Sequence, residues 1–161
     1  MKGLRIRDAS ASDRGVVEAV TLAAYQQYAA LMPALWDGYR QNILATLAAA
    51  QPDAQIVAEE DGRIVGSVLL YPAGTVIARP GGGLITLASP EVRLLAVAPA
   101  ARGRGVGVAL MHECLRRARQ SGATALTLHT TEIMEAAMRL YERLGFRRQA
   151  LGLSVLSAGI P

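Results

Sequence analysis

The stretch RLLAVAPAARGRGVGVAL, Arg93 to Leu110, constrains the fold of this 161-residue chain more than any other. Arg93 to Val97 is a nearly continuous apolar strand, and Pro99 stops it. Arg102-Gly103-Arg104-Gly105-Val106-Gly107 then packs three glycines and two arginines into six residues. An apolar helical pattern follows at Gly107, Leu110, Met111, Cys114, Leu115 and Ala118. A strand that passes through a glycine-rich turn into a helix start is a common anion holder. The first helical N–H groups have no intrahelical acceptor, and the helix dipole is positive there. Glycine lets a ligand approach the backbone closely.

The turn is not a P-loop, because G-x-x-x-x-G-K-[ST] is absent. It is also a poor dinucleotide fingerprint: its glycines are spaced G-x-G-x-G, and no acidic residue follows where it would grip a ribose.

The rest of the chain predicts one α/β domain over residues 1–161. Leu4 to Arg7 alternates as a strand. Ser10 to Asp13 reads as a helix start, with Ser10 as cap, and Val16 to Leu31 keeps rough helical spacing. Pro33 is placed to open a second helix that fades near Gln51-Pro52. Gln55 to Glu60 and Arg63 to Leu70 are strands joined at Asp61-Gly62, a hairpin signal. Tyr71 to Pro90, rich in Gly and Pro, reads as a long loop. Glu91 to Val97 is the next strand, and Gly122 ends the helix that follows the turn. Ala125 to His129 is a strand. Thr131 is placed to cap a helix through Tyr141 that Gly145 ends. Phe146 begins a final strand. The order βααβββαβαβ implies a mixed sheet flanked by helices.

Composition narrows the class. Hydrophobic residues make up 52% and charged residues 19%, which suits a folded domain. No apolar run of about eighteen residues exists, so no membrane partner is expected, and the N-terminus lacks a signal-peptide segment. The cytoplasm is the default location. Cys114 is the only cysteine and reads as a core hydrophobe. It excludes an internal disulfide, and no metal site is expected. The net charge is +4, with every basic residue except Lys2 an arginine. These are scattered, Arg116, Arg117 and Arg119 reading as a solvated face. No aromatic-basic interleaving points to nucleic acid.

Leu95-Ala96-Val97-x-Pro99-x-x-Arg102-Gly103-x-Gly105-x-Gly107 resembles the acetyl-CoA site of the GCN5-related N-acetyltransferase (GNAT) superfamily, whose signature is Q/R-x-x-G-x-G/A. Ala137 to Phe146 resembles the family's second motif, A-x-x-L-Y-x-x-L-G-F. The resemblance implies a mostly antiparallel central sheet with a splayed strand pair at the cofactor site. It implies acetyl-CoA as co-substrate, its pyrophosphate held by Arg102, Gly103, Arg104, Gly105, Val106 and Gly107. Leu95, Ala96 and Val97 would pair with the pantetheine arm. An N–H near Val97 would face the thioester carbonyl.

The activity implied is direct acetyl transfer to a primary amine of a small molecule or peptide. A lysine-like amine costs about 4.6 kcal/mol to deprotonate at pH 7, an α-amine only about 1 kcal/mol. Glu91 is the candidate general base, acting through water, against a reading as a solvated turn residue. Tyr141 is the candidate acid toward the leaving thiolate, against a reading as core. Met134 stands where many relatives have the asparagine that binds pantetheine; it cannot donate that bond, which falls to Thr131 or backbone. His129 is readable as a second base, but the favoured reading is a satisfied structural histidine. Tyr25, Tyr28, Trp36 and Tyr39, with the Tyr71–Pro90 loop and its Arg79, are the candidate acceptor pocket, against an equal reading of the four aromatics as packing or surface residues. Glu59, Glu60 and Asp61 read as solvated. The rival classes are a catalytically silent acyl-CoA-binding module and an arginine-based nucleic-acid binder. A homodimer is left open.

Overall fold

The structure is a computed structural model and describes residues 3–51, 54–78, 82–129, 135–149 and 152–159. The chain divides into two compact units, 1–69 with 94–113, and 70–93 with 114–161.

The first unit opens with β1 (Leu4–Asp8), a single turn of 3-10 helix, and α1 (Arg14–Tyr25). Asp13 secures the α1 start: its carboxylate accepts from the Ser10 N–H at 2.7 Å and from Arg7 Nη1 at 2.8 Å. The apolar run that predicted a helix to Leu31 tightens to 3-10 geometry over Gln26–Leu31. The second helix, α2 (Trp36–Ala49), begins three residues after Pro33. Ile43 and Leu47 are its buried residues.

β2 (Gln55–Glu60) and β3 (Arg63–Tyr71) form the expected hairpin, with β1 antiparallel on the other side of β2. Asp61 and Gly62 take φ values of +51° and +80°, the left-handed pair that a two-residue hairpin turn requires. On α1, Thr21 Oγ1 donates to the Val17 carbonyl at 2.7 Å and lies 3.4 Å from Ser67 Oγ of β3. This polar contact sits inside an otherwise apolar core of Val17, Ile43, Ile56, Val57 and Val68.

β6 (Glu91–Val97) follows β3 in the sheet, and just past its end the Ala98 N–H donates to the Val65 carbonyl at 2.8 Å. The chain then turns into α3 (Val106–Gln120). Val106, Leu110, Met111, Cys114 and Ala118 of α3 are each 1% exposed or less, the apolar face expected from their spacing. Each large apolar side chain buried this way contributes about 1.5–3 kcal/mol.

In the second unit, β6 begins parallel to β7 (Ala125–His129), with Glu91 opposite Thr127 and Val92 opposite Leu128. β7 pairs antiparallel with β9 (Gly152–Gly159), and β9 with β8 (Arg147–Gln149). The fold is therefore the expected mixed, mostly antiparallel sheet flanked by helices.

Two expectations are corrected. Tyr71 to Pro90 is not a plain loop: β4 (Val76–Ala78) and β5 (Leu84–Thr86) pair within it as a separate antiparallel ribbon. The tail after Phe146 holds two strands rather than one. Both glycine stops act as predicted. Gly122 and Gly145 have φ of +83° and +95°, and the Ala123→Ala118 and Phe146→Tyr141 backbone bonds close the ends of α3 and α4 (Glu135–Arg143). Thr131, Met134 and Arg79 lie outside the described residues, as does the side chain of His129.

Candidate functional site

The glycine-rich bend has the form its sequence requires. Gly103 and Gly105 have φ of +76° and +82°, and no heavy atom lies within 4 Å of where a Cβ would stand on either. The Gly105 carbonyl accepts the first helical bond, from the Ala109 N–H at 3.0 Å, which makes Gly105 the cap of α3. Among the described residues, none of the amides of Gly103, Gly105, Val106 and Gly107 donates to a loop carbonyl. A bend open on the side of its glycines, with amides at a helix start, fits a diphosphate.

The arginine side chains behave otherwise than the glycines. Arg102 Nη2 donates to the Ala24 carbonyl at 3.0 Å, fastening the bend to the last turn of α1. Arg104 Nη2 meets Glu60 Oε1 at 2.8 Å, so Glu60 is an ion-pair partner rather than a merely solvated turn residue. Glu59 is likewise paired, to Arg7 at 3.5 Å.

Gly66 of β3 gave no signal in the sequence, yet it sets the height of α3. A Cβ there would lie 2.8 Å from Val106 Cγ1 and 3.0 Å from the Ala96 carbonyl oxygen. The helix start therefore rests directly on strand backbone. Leu94 was equally invisible. Its φ of +52° is rare for a bulky residue and breaks the pleat of β6 just before Leu95, Ala96 and Val97. Ala96 is buried, and Leu95 and Val97 are half-buried.

Glu91 is not a solvated turn residue. It is 2% exposed, and Arg93 Nε binds its Oε2 at 2.7 Å. The Arg93 guanidinium also lies over the Tyr71 ring, 5.8 Å from its centroid. Burial pushes the Tyr71 hydroxyl above its ordinary value of 10.0; Arg93 opposes that shift and Glu91 adds to it. The alternation of Glu91 and Arg93 about buried Val92 puts both on one face of the strand, a signal present in the sequence.

Tyr141 is 6% exposed and sets its ring edge-on against Phe146, with centroids 5.9 Å apart. Its aromatic ring is thus part of the core. The four aromatics of the early helices do cluster. Tyr25 contacts Tyr28 and Tyr39, and Tyr39 contacts Trp36, with centroids 5.9–6.2 Å apart. Burial pushes the Tyr39 hydroxyl up to about 12. Among the described residues no group of three or more His, Cys, Asp or Glu could hold a metal ion, and no helix is long and apolar enough to cross a membrane.

These features define a protein of the acetyltransferase class of folds. The profile of the acetyltransferase (GNAT) family matches residues 21–146, and the chain belongs to that family. It is 35% identical over 109 residues to the mycothiol acetyltransferase of Parafrankia sp., covering 64% of this chain and 34% of that protein. It is 35% identical over 102 residues to the L-2,4-diaminobutyric acid acetyltransferase of Nocardia farcinica, covering 62% and 46%. The matched stretch spans about a third of the length of the mycothiol acetyltransferase. Among solved structures, a PaiA N-acetyltransferase from Thermoplasma acidophilum in complex with coenzyme A shares the fold at TM-score 0.73 and 15% identity, covering 97% and 98%. A GNAT acetyltransferase from Brucella melitensis in complex with acetyl-CoA does so at TM-score 0.66 and 24% identity, covering 98% and 88%.

Proposed function

We propose that this chain is an acetyl-CoA-dependent N-acetyltransferase that passes the acetyl group directly to a primary amine of a small molecule or peptide. The observation that carries this reading is the open bend at Gly103–Gly107. Among the described residues, the amides of Gly103, Gly105, Val106 and Gly107 donate to no loop carbonyl, and there is space above both left-handed glycines. In this reading the amides bind the pyrophosphate, while Arg102 and Arg104 brace the bend through Ala24 and Glu60. The backbone of Leu95, Ala96 and Val97 aligns the pantetheine arm. The Val97 N–H faces the thioester oxygen as it gains charge, a contact whose loss costs about 3–4 kcal/mol.

Glu91 takes the amine proton through a water molecule, with Arg93 as its counter-charge. The neutral amine attacks the carbonyl carbon and the carbon–sulfur bond breaks; the thiolate takes a proton from Tyr141, and the surplus proton on the acetylated nitrogen passes through water to the Tyr141 phenolate, leaving a neutral amide and a free thiol. A relative named for L-2,4-diaminobutyric acid supports a small-molecule acceptor.

The test is release of CoA thiol from acetyl-CoA and longer thioesters across a panel of amines. Amine-dependent release with ternary-complex kinetics is expected. Ping-pong kinetics, or acetyl label trapped on Cys114, would contradict direct transfer. CoA binding without thiol release to any amine would make the chain a silent acyl-CoA-binding module.

A further inference from the structure

We infer that Arg93 is a specificity-determining residue that binds a carboxylate on the acceptor, so that the preferred acceptors are amino acids rather than simple amines. The inference rests on the acetyltransferase reading and adds the chemical class of the acceptor.

Arg93 is held on two sides. Its Nε is bound by Glu91 Oε2 at 2.7 Å, and Glu91 is itself 2% exposed. Its guanidinium carbon lies over the Tyr71 ring, 5.8 Å from the centroid. A guanidinium fixed by a buried carboxylate and a ring has lost most of its rotamer freedom before any ligand arrives. What remains is the outer edge: among the described residues its two Nη groups make no hydrogen bond, and the side chain is 31% exposed. That edge is the fork geometry that takes a carboxylate with two parallel N–H···O bonds.

The neighbouring charges favour the same ligand class. Glu91, the proposed base for the amine, and Arg93 stand two residues apart on one strand face. An acceptor carrying an amine and a carboxylate a few bonds apart complements that pair. A diamine complements only the carboxylate and faces the guanidinium as a like charge. Neither Arg102 nor Arg104 offers a comparable group, since each spends an Nη on a protein acceptor.

The experiment is calorimetric titration of the CoA-bound protein with matched pairs: glycine and glycinamide, lysine and lysinamide, with cadaverine as the diamine. At least one carboxylate member should bind tenfold or more tightly than its amide, and cadaverine should bind more weakly than lysine. Arg93→Lys keeps a cation beside Glu91 but loses the fork; it should shrink the preference to less than threefold and leave CoA affinity unchanged. A double variant, Glu91→Gln with Arg93→Gln, removes both partners of the ion pair and should abolish the preference. Amide and carboxylate members binding alike in every pair would overturn the inference. A preference that survives Arg93→Lys would do the same. Binding is read without turnover, so a failure of acetyl transfer and a failure of carboxylate recognition give different results.

Discussion

Tyr141 was readable as two things, a core ring and an acid; its packing against Phe146 accounts for the ring, and the acid role is proposed for the hydroxyl. The ring packs; any chemistry belongs to the hydroxyl. Tyr141→Phe keeps the ring, so thermal stability should stay within about 1 kcal/mol of wild type. If the hydroxyl protonates the thiolate, kcat should fall by about 10²-fold or more, with little change in acetyl-CoA affinity. Steady-state kinetics beside a melting curve separates the two, and an unchanged kcat returns Tyr141 to the core alone.

Asp13 offers a test of pH dependence at the same scale. The Arg7 guanidinium, helped by the Ser10 N–H and hydroxyl, holds its carboxyl at about 2, below the ordinary 3.8. A lowered folded value means the stabilisation is complete above pH 3.8 and is lost as pH falls through 2. Both partners keep partial contact with solvent, so the contribution is below about 1 kcal/mol. Asp13→Asn should therefore lower stability slightly at neutral pH, and denaturant melts of the two proteins should converge below pH 2.

At the scale of elements, α3 and the strand beneath it are the part proposed to position the cofactor. Gly66 lets Val106 lie against β3 and the Ala96 carbonyl. Gly66→Ala forces a stiff, β-branched neighbour and a strand backbone to give way, and should destabilise by about 1–3 kcal/mol. The displaced helix start should also weaken CoA binding. Gly105→Ala differs: it meets no atom, so its cost is the left-handed backbone, about 1–2 kcal/mol. Urea melts and calorimetry check both. If Gly66→Ala is as stable as wild type, the close approach of α3 is not what sets its height.

Much of this element was legible beforehand. The apolar spacing of α3, the glycine stops at Gly122 and Gly145, and the Asp61-Gly62 hairpin all follow from local backbone rules. What escaped was set by tertiary contact or by short length. Gly66 looks like any strand glycine until a helix is laid on it. Leu94 carries no mark of its positive φ. The β4–β5 ribbon is two three-residue strands among prolines and glycines, too short for alternation to show.

At the scale of the whole molecule, family membership follows from a match across residues 21–146, while the choice of acceptor does not. The first motif was legible through Gly103 and Gly105, whose positive φ favours glycine, and the second through an apolar helical spacing ended by Gly145. Glu91 was legible as an acid opening a strand, but its pairing with Arg93, its burial and the contact of Arg93 with Tyr71 were not, since all three depend on how that strand is packed. The bend, exposed at Gly103 and Gly105, is proposed to bind the pyrophosphate through its amides. Amide NMR during titration with CoA tests that directly. The amides of Gly103, Gly105, Val106 and Gly107 should show the largest shifts in the protein, saturating together with binding measured by calorimetry. CoA that binds while those four resonances stay in place would contradict it.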